Sequence, residues 1–325
     1  MFNLFIVRSP LQLINATEAK EHFKTKHNIL MLMNNNQSDK KQLETVLSLS
    51  KWDEIIHYKP QKGSSLFQQV KLVRSLKHRA YHYLFSGDYG TINKMMMANL
   101  SAKAYYLIDD GTMSIEIHKQ LQHPSTLPWS KKMKLLRYRL FALRTSMKKP
   151  LNFFTCYDLS PLKGSKIIPN DYHYLQSVFQ PKHPSDDIYL LGQNIDDKWL
   201  RPGAYLHYIK EIREYYKEQT IIYMPHRHEI ISNELHALFD EKFVLRPNDI
   251  PIELYFLEKS IYPKHIISFT SSALFTLNKI YPKTKIDAIV LQQDDLVMMH
   301  GFVKSCYEFF DGLSINQIDL TKGTT

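Results

Sequence analysis

Tyr105-Tyr106-Leu107-Ile108-Asp109-Asp110-Gly111 is a run of aromatic and aliphatic residues that stops on two adjacent carboxylates and a glycine. Side chains of that kind favour a buried strand, and Gly111 permits a sharp turn where the strand ends. Asp109 and Asp110 are therefore expected at the carboxyl edge of a sheet. In open α/β sheets ligands bind in the crevice at that edge, where a carboxylate can take a proton from a substrate hydroxyl. Asp-Gly is also a common turn dipeptide, so this stretch taken alone leaves a plain turn open.

Toward the amino terminus, strand and helix alternate. Leu4 to Val7 reads as a strand that runs into Arg8-Ser9-Pro10-Leu11-Gln12, where Ser9 can cap a helix and Pro10 fits its first turn. Further strands are expected over Asn28–Met33, Glu54–Tyr58 and Tyr81–Phe85, with Asn34-Asn35-Asn36 as a loop and helices over Asp39–Ser50, Leu66–Lys77 and Thr91–Ser101. The fourth strand ends in Ser86-Gly87-Asp88-Tyr89-Gly90, a second polar, glycine-bearing loop on the same edge. Such alternation is the signature of a parallel, Rossmann-like sheet.

Toward the carboxyl terminus, Ser130 to Lys149 forms a basic amphipathic segment with Met133, Leu136, Leu140, Leu143 and Met147 at helical spacing. A solvated basic face and a membrane-surface or polyanion-binding role both fit it. After a strand over Leu151–Tyr157, Pro161, Gly164, Pro169, Pro181 and Pro184 mark an interdomain crossing. A second alternating series starts at Ile188 and ends with a strand over Ile286–Leu291. The stretch Asp294–Phe310 reads as a helix able to pack back on the first domain, and Thr321–Thr325 reads as disordered. The expected fold class is α/β: two facing Rossmann-like domains over residues 1–160 and 187–325, a linker over 161–186, and a cleft between the domains.

Two motifs of the second series carry chemistry. Ile221 to Met224 is a strand that delivers Pro225-His226-Arg227-His228-Glu229 to the sheet edge, and a helix is expected over Glu229–Phe239. His226 could act as a general acid or donate to a phosphate, with Arg227 or His228 adding positive charge; a structural histidine is the plain alternative. His226 and His228 make a weak zinc pattern, with no cysteine or matched acid. Ile266 to Phe269 breaks into Thr270-Ser271-Ser272 and continues as a helix, whose amino terminus and hydroxyls suit a phosphate or serve as an ordinary N-cap. Glu253, one turn after Pro251, could accept hydrogen bonds from two ribose hydroxyls.

The chain of 325 residues, 44% hydrophobic, is long enough for two cores, and its net charge of +10 implies an acidic partner. Two cysteines, Cys156 and Cys306, make no disulfide framework and suit a reducing cytosol. No apolar run reaches the ~20 residues of a membrane span, and Met1–Val7 lacks the basic start of a cleavable signal.

Taken in order, Asp109-Asp110-Gly111, His226 and Ser271-Ser272 resemble the ordered marks of bacterial sialyltransferases of the two-Rossmann (GT-B) type. The resemblance is strongest to the polysialyltransferase-like and lipooligosaccharide sialyltransferase groups. It extends to Glu253, to the opening Arg8-Ser9-Pro10-Leu11-Gln12 and to Leu191-Gly192-Gln193. One departure stands out: His226 is followed by Arg227 and has its proline, Pro225, on the other side. The resemblance implies transfer of sialic acid, or a related nonulosonic acid, from its CMP conjugate to a hydroxyl of a glycan or glycolipid of the capsule or lipooligosaccharide, with inversion. It implies Asp110 as base with Asp109 as its rival, and His226 with the serines on the departing CMP. From the residues and the resemblance together, donor or acceptor contacts are expected from Ser9, Pro10, Gln12, Ser86, Gly87, Gly111, Arg227, Glu253, Ser271 and Ser272, with no metal and no cofactor, in the bacterial cytoplasm or at the cytoplasmic face of the inner membrane; the basic amphipathic pattern of Lys131 to Lys149 leaves contact with anionic lipid open. Two other classes remain: a cytidine-nucleotide-dependent polyol-phosphate transferase, and a non-catalytic polyanion binder. No nucleic-acid module is recognisable.

Overall fold

The computed structural model describes residues 1–33, 39–59, 66–124, 129–178, 180, 183–195, 198–313 and 315–321, leaving aside the side chains of 130–132 and 134. It divides into two compact units, Met1–Asn170 and Asp171–Thr325.

The first unit runs β1 Phe2–Val7, α1 Pro10–His22, β2 Asn28–Leu32, α2 Lys40–Leu47, β3 Glu54–His57, α3 Leu66–Leu76, β4 Tyr81–Ser86, α4 Thr91–Asn99, β5 Ala102–Ile108, α5 Met113–Gln122, α6 Trp129–Arg139, β6 Leu151–Thr155 and β7 Ile167–Pro169. Its strands form one parallel sheet in the order β3-β2-β1-β4-β5-β6-β7. Helices cover the strands, so Leu4–Val7 and Tyr105–Ile108 are buried on both faces, which is why they read as unbroken apolar runs. Stacked rings set the register. Phe5 lies opposite Phe85 with ring centroids 4.5 Å apart, and Phe85 opposite Tyr106 at 5.2 Å. The order of connection reverses between β1 and β4, where sheets of this type open a crevice at their carboxyl edge.

The second unit runs α7 His173–Val178, β8 His183–Leu191, α8 Ala204–Tyr215, β9 Ile221–Met224, α9 Asn233–His236, β10 Phe243–Leu245, α10 Ile252–Glu258, β11 Ile261–Ser268, α11 Ser272–Ile280, β12 Lys285–Ile289, α12 His300–Asp311 and β13 Ile315–Ile318. Its sheet is again parallel, in the order β10-β9-β8-β11-β12-β13, and it reverses between β8 and β11. Both units are thus Rossmann-like.

Local departures from the sequence reading have physical causes. Residues 161–186 hold β7, α7 and the start of β8. The helix expected from Glu229 starts only at Asn233, capped by Ser232, because the Glu229 N–H closes a turn onto the His226 carbonyl at 2.8 Å. Residues 293–295 form a single 3-10 turn, and α12 begins at His300, with Met299 before it at φ 65. Within the second unit, Phe310 of α12 stacks on Phe275 of α11 at 4.8 Å. The basic helix ends at Arg139 rather than continuing to Lys149. Ala142 turns left-handed at φ 56, Leu143 becomes buried, and Lys149 Nζ donates to the Ala102 and Lys103 carbonyls. Strand β13 was not expected, since Asn316 and Gln317 interrupt its apolar pattern. The Asn34–Asn36 loop, Pro181 and the last four residues lie outside the described residues. Among the described residues no helix is long and apolar enough to cross a membrane.

Candidate active site

In the first unit the strand ends of β1, β4 and β5 bring Arg8 to Gln12, Ser86 to Asp88 and Asp109 to Gly111 to neighbouring positions on one edge. Asp109 is only 3% exposed. Its Oδ2 accepts the Cys156 N–H at 2.8 Å. Burial pushes its pKa up to about 6, against that bond and others from the side chains of Thr155, Ser114 and Cys156. Its carbonyl accepts the Asn15 side-chain amide at 3.0 Å, and Asn15 Oδ1 in turn accepts that of Asn170 at 3.0 Å. Asp110 is half-buried, and its N–H donates to Ser114 Oγ at 2.9 Å. Gly111 follows at φ 57, a left-handed turn that leads the chain into α5.

At the reversal between β1 and β4, side chains knit two loops together. Ser9 Oγ accepts the Gln12 N–H at 3.3 Å as the N-cap of α1, with Pro10 at the first helical position. Gln12 Oε1 accepts the Arg8 N–H at 2.7 Å. A Cβ at Gly87 would fall 2.5 Å from that Oε1, so the close approach requires glycine. Ser86 Oγ donates to the Asp88 carbonyl at 2.7 Å and accepts from Asn93 at 2.8 Å. Arg8 Nε pairs with Asp88 Oδ2 at 3.1 Å, while its Nη2 reaches Asn93 Oδ1 at 3.2 Å. Ser86 and Gln12 are buried and engaged inside this network, which orients the half-exposed Arg8 guanidinium at the crevice.

The second unit gathers His226, Arg227, Glu253, Ser271 and Ser272 at its own carboxyl edge. The His226 ring accepts the His228 N–H at Nδ1, 3.2 Å away. A neutral ring in this position carries its proton on Nε2, which is therefore a donor. Glu253 is buried and accepts from Thr276 Oγ1 of α11 at 3.0 Å. Burial raises its pKa, opposed by its own backbone N–H, by Thr276 and by the charge of Arg227. Arg227 thus feels Glu253 although its own side chain is exposed. Ser271 caps α11, its Oγ accepting the Ala273 N–H at 3.3 Å. Beside it Thr270 Oγ1 is buried with no hydrogen-bond partner among the described residues. A helix amino terminus with hydroxyls around it and an arginine on the same sheet edge can hold a phosphate.

The sequence reading missed the network that fixes the His226 loop. Glu229 Oε2 accepts the His226 N–H at 2.9 Å, and its Oε1 accepts the Tyr223 hydroxyl. The Tyr223 hydroxyl meets that of Tyr205 at 2.9 Å, which accepts the Gln193 N–H at 2.9 Å. Gln193 Oε1 accepts the Thr270 N–H at 2.8 Å. One chain of bonds therefore joins the loops after β8, β9 and β11. The available signal was a carboxylate three residues beyond His226, the reach of one turn; nothing local pointed to Asn15 or Asn170. Among the described residues no group of three or more histidines, cysteines or acids could hold a metal ion.

A structure of S. aureus MnaA with UDP aligns with a TM-score of 0.50 and 11% identity over 96% of this chain and 88% of that one, a likeness of fold in keeping with two Rossmann-like halves of the GT-B type. No curated protein sequence matches the chain at a significant level. The family model for alpha-2,8-polysialyltransferase (POLYST) matches residues 3–290, a span that takes in the carboxylate pair, His226, Glu253 and the two serines. With that match over nearly the whole chain, the protein belongs to the alpha-2,8-polysialyltransferase family of sialic-acid glycosyltransferases.

Proposed function

We propose that the protein transfers sialic acid, or a related nonulosonic acid, from its CMP conjugate to a glycan hydroxyl with inversion, and that the acceptor is the 8-hydroxyl of a sialyl residue ending a cell-surface glycan. The family name supports the linkage. The observation that carries the mechanism is the pairing of chemistries: acids at one carboxyl edge, and a histidine held as an Nε2 donor beside a serine-capped helix at the other. An alcohol attacks poorly until a base takes its proton, and the Asp109–Asp110 pair supplies one. As the anomeric carbon–oxygen bond to CMP breaks, its electron pair goes to the phosphate. His226 Nε2–H, Arg227 and the start of α11 can stabilise that charge.

Proton affinity supports Asp109 as the base, since a group with a pKa of about 6 is mostly ionised at neutral pH yet still takes a proton readily. Access supports Asp110, the less buried of the two. The test is CMP release and product mass from CMP-sialic acid and a sialylated acceptor, compared between wild type, Asp109→Asn, Asp110→Asn and His226→Ala. A ladder of products each one sialyl residue longer is expected. His226→Ala and the substitution of the base should each lower turnover about a hundredfold or more. An acid limb near pH 6 that persists in the residual activity of Asp110→Asn assigns the base to Asp109. Phosphorus in the product, or turnover indifferent to all three substitutions, would overturn the reading.

A further inference from the structure

Helix α6 turns its apolar side chains to solvent. Trp129 is 75% exposed, Met133 44%, Leu136 45% and Leu140, just past the helix end, 81%. Spaced at i, i+4, i+7 and i+11, these four fall on one narrow stripe of a helix with 3.6 residues per turn. Tyr138, half a turn around, is buried with its hydroxyl on Gln69, which fixes the stripe outward. By the same geometry Arg137 and Arg139, both exposed, flank the stripe on its two sides. Just past α6, Phe141 meets Phe67 of α3, 68% exposed, edge-on at 5.3 Å. Arg74 of α3 donates to the Phe141 carbonyl at 3.1 Å, tying α3 to the turn that follows α6.

The stretches of chain that contain α3 and α6 carry one sign of charge. Between Glu54 and Asp88 the chain carries six lysines and arginines and no acid; between Glu116 and Asp158 it carries nine and again none. A solvated basic helix has no use for an exposed Trp and three exposed aliphatic side chains in line. An acidic glycan would be held by the cations and gain little from Leu140 or Met133. Apolar and cationic groups side by side match an anionic lipid surface, where the stripe enters the acyl boundary and the guanidinium groups meet phosphates.

We propose that the exposed stripe of α6 docks the protein on an anionic bilayer, with Trp129, Met133, Leu136 and Leu140 inserted and Arg137 and Arg139 on the headgroups. This docking does not depend on the transfer reaction proposed above. The test is sedimentation of the full chain with vesicles of phosphatidylcholine alone and of phosphatidylcholine mixed with phosphatidylglycerol. Retention on the anionic vesicles only is expected. Trp129→Ser combined with Leu140→Ser should weaken it at least tenfold, as should Arg137→Glu combined with Arg139→Glu, with far-UV circular dichroism and thermal midpoint unchanged because all four side chains are exposed. Quenching of tryptophan fluorescence by brominated lipid should be present in wild type and strongly reduced in Trp129→Phe. Three outcomes overturn the proposal: no retention, equal retention on neutral vesicles, or retention indifferent to the Trp129 and Leu140 substitutions. Tight binding of soluble polyphosphate that matches vesicle binding and survives loss of the apolar pair would equally overturn it and assign the basic charge to a soluble polyanion.

Discussion

At Asp109 the protein keeps a carboxylate where its charge is unfavourable. Its pKa rises from 3.8 to about 6, so the folded state holds the proton more tightly than the unfolded chain. Stability is therefore lost as pH rises from the ordinary carboxylate range through 6, at an order-of-magnitude cost of ~3 kcal/mol above it. Asparagine has the same shape and can still accept the Cys156 N–H. Asp109→Asn is expected to stabilise the protein by roughly 1–3 kcal/mol at pH 8 and by little at pH 4, read from urea unfolding at the two values. A gain in stability together with a loss of turnover would mark a group kept for chemistry. Glu229 belongs to this scale as a positioning residue, because it holds both the His226 N–H and the Tyr223 hydroxyl. Glu229→Ala should lower kcat by about ten- to a hundredfold with the acid limb of the pH profile unmoved, and Glu229→Gln should recover part of that loss, since its one carbonyl oxygen can replace one of two acceptors. Equal kcat in all three proteins would remove Glu229 from the account.

Among the elements, β11, β12 and β13 are stitched together by one buried acid. Asp287 accepts from His265 Nε2 at 2.6 Å, the Tyr216 hydroxyl at 2.8 Å and Asn316 Nδ2 at 2.9 Å, and pairs with Lys285 at 3.0 Å. Burial works against its charge, but the bonds from His265, Asn316 and Tyr216 more than offset it and hold its pKa below the ordinary range. A depressed folded value means stability that is present at neutral pH and lost as pH falls below about 4. Asp287→Asn should cost about 3–5 kcal/mol at pH 7 and reduce the fall in stability between pH 5 and 3, read from denaturant unfolding across that range. This acid also accounts for β13. Asn316 makes a poor strand residue by pattern, yet its amide completes Asp287, so the strand forms where periodicity gives no hint of it. The end of α6 is another case of element and sequence parting. Leu143 continues the apolar spacing of the helix, but the left-handed Ala142 carries it inward and leaves Leu140 outside.

For the whole molecule, each Rossmann-like unit presents its strand ends at a point where the strand order reverses, one bearing acids and the other a histidine, an arginine and a helix start. If the second set takes the phosphate charge, CMP release should be unchanged by an excess of EDTA, and a loss restored by a divalent cation would require a different site. The division of the chain into α/β series, the tips at Asp109, His226 and Ser271, and the caps at Ser9 and Ser271 were legible in the sequence, because strand propensity, turn residues and N-caps act over a few neighbouring positions. The burial that lifts Asp109, the Asn15–Asp109 and Asn15–Asn170 bonds across 94 and 155 residues, and the Glu229 network through Tyr223, Tyr205 and Gln193 came only with the tertiary structure. So did the outward stripe of α6. Each of these depends on which strands become neighbours in the sheet and on which side of an element faces another, and long-range packing selects those pairings without leaving a periodic trace in the chain.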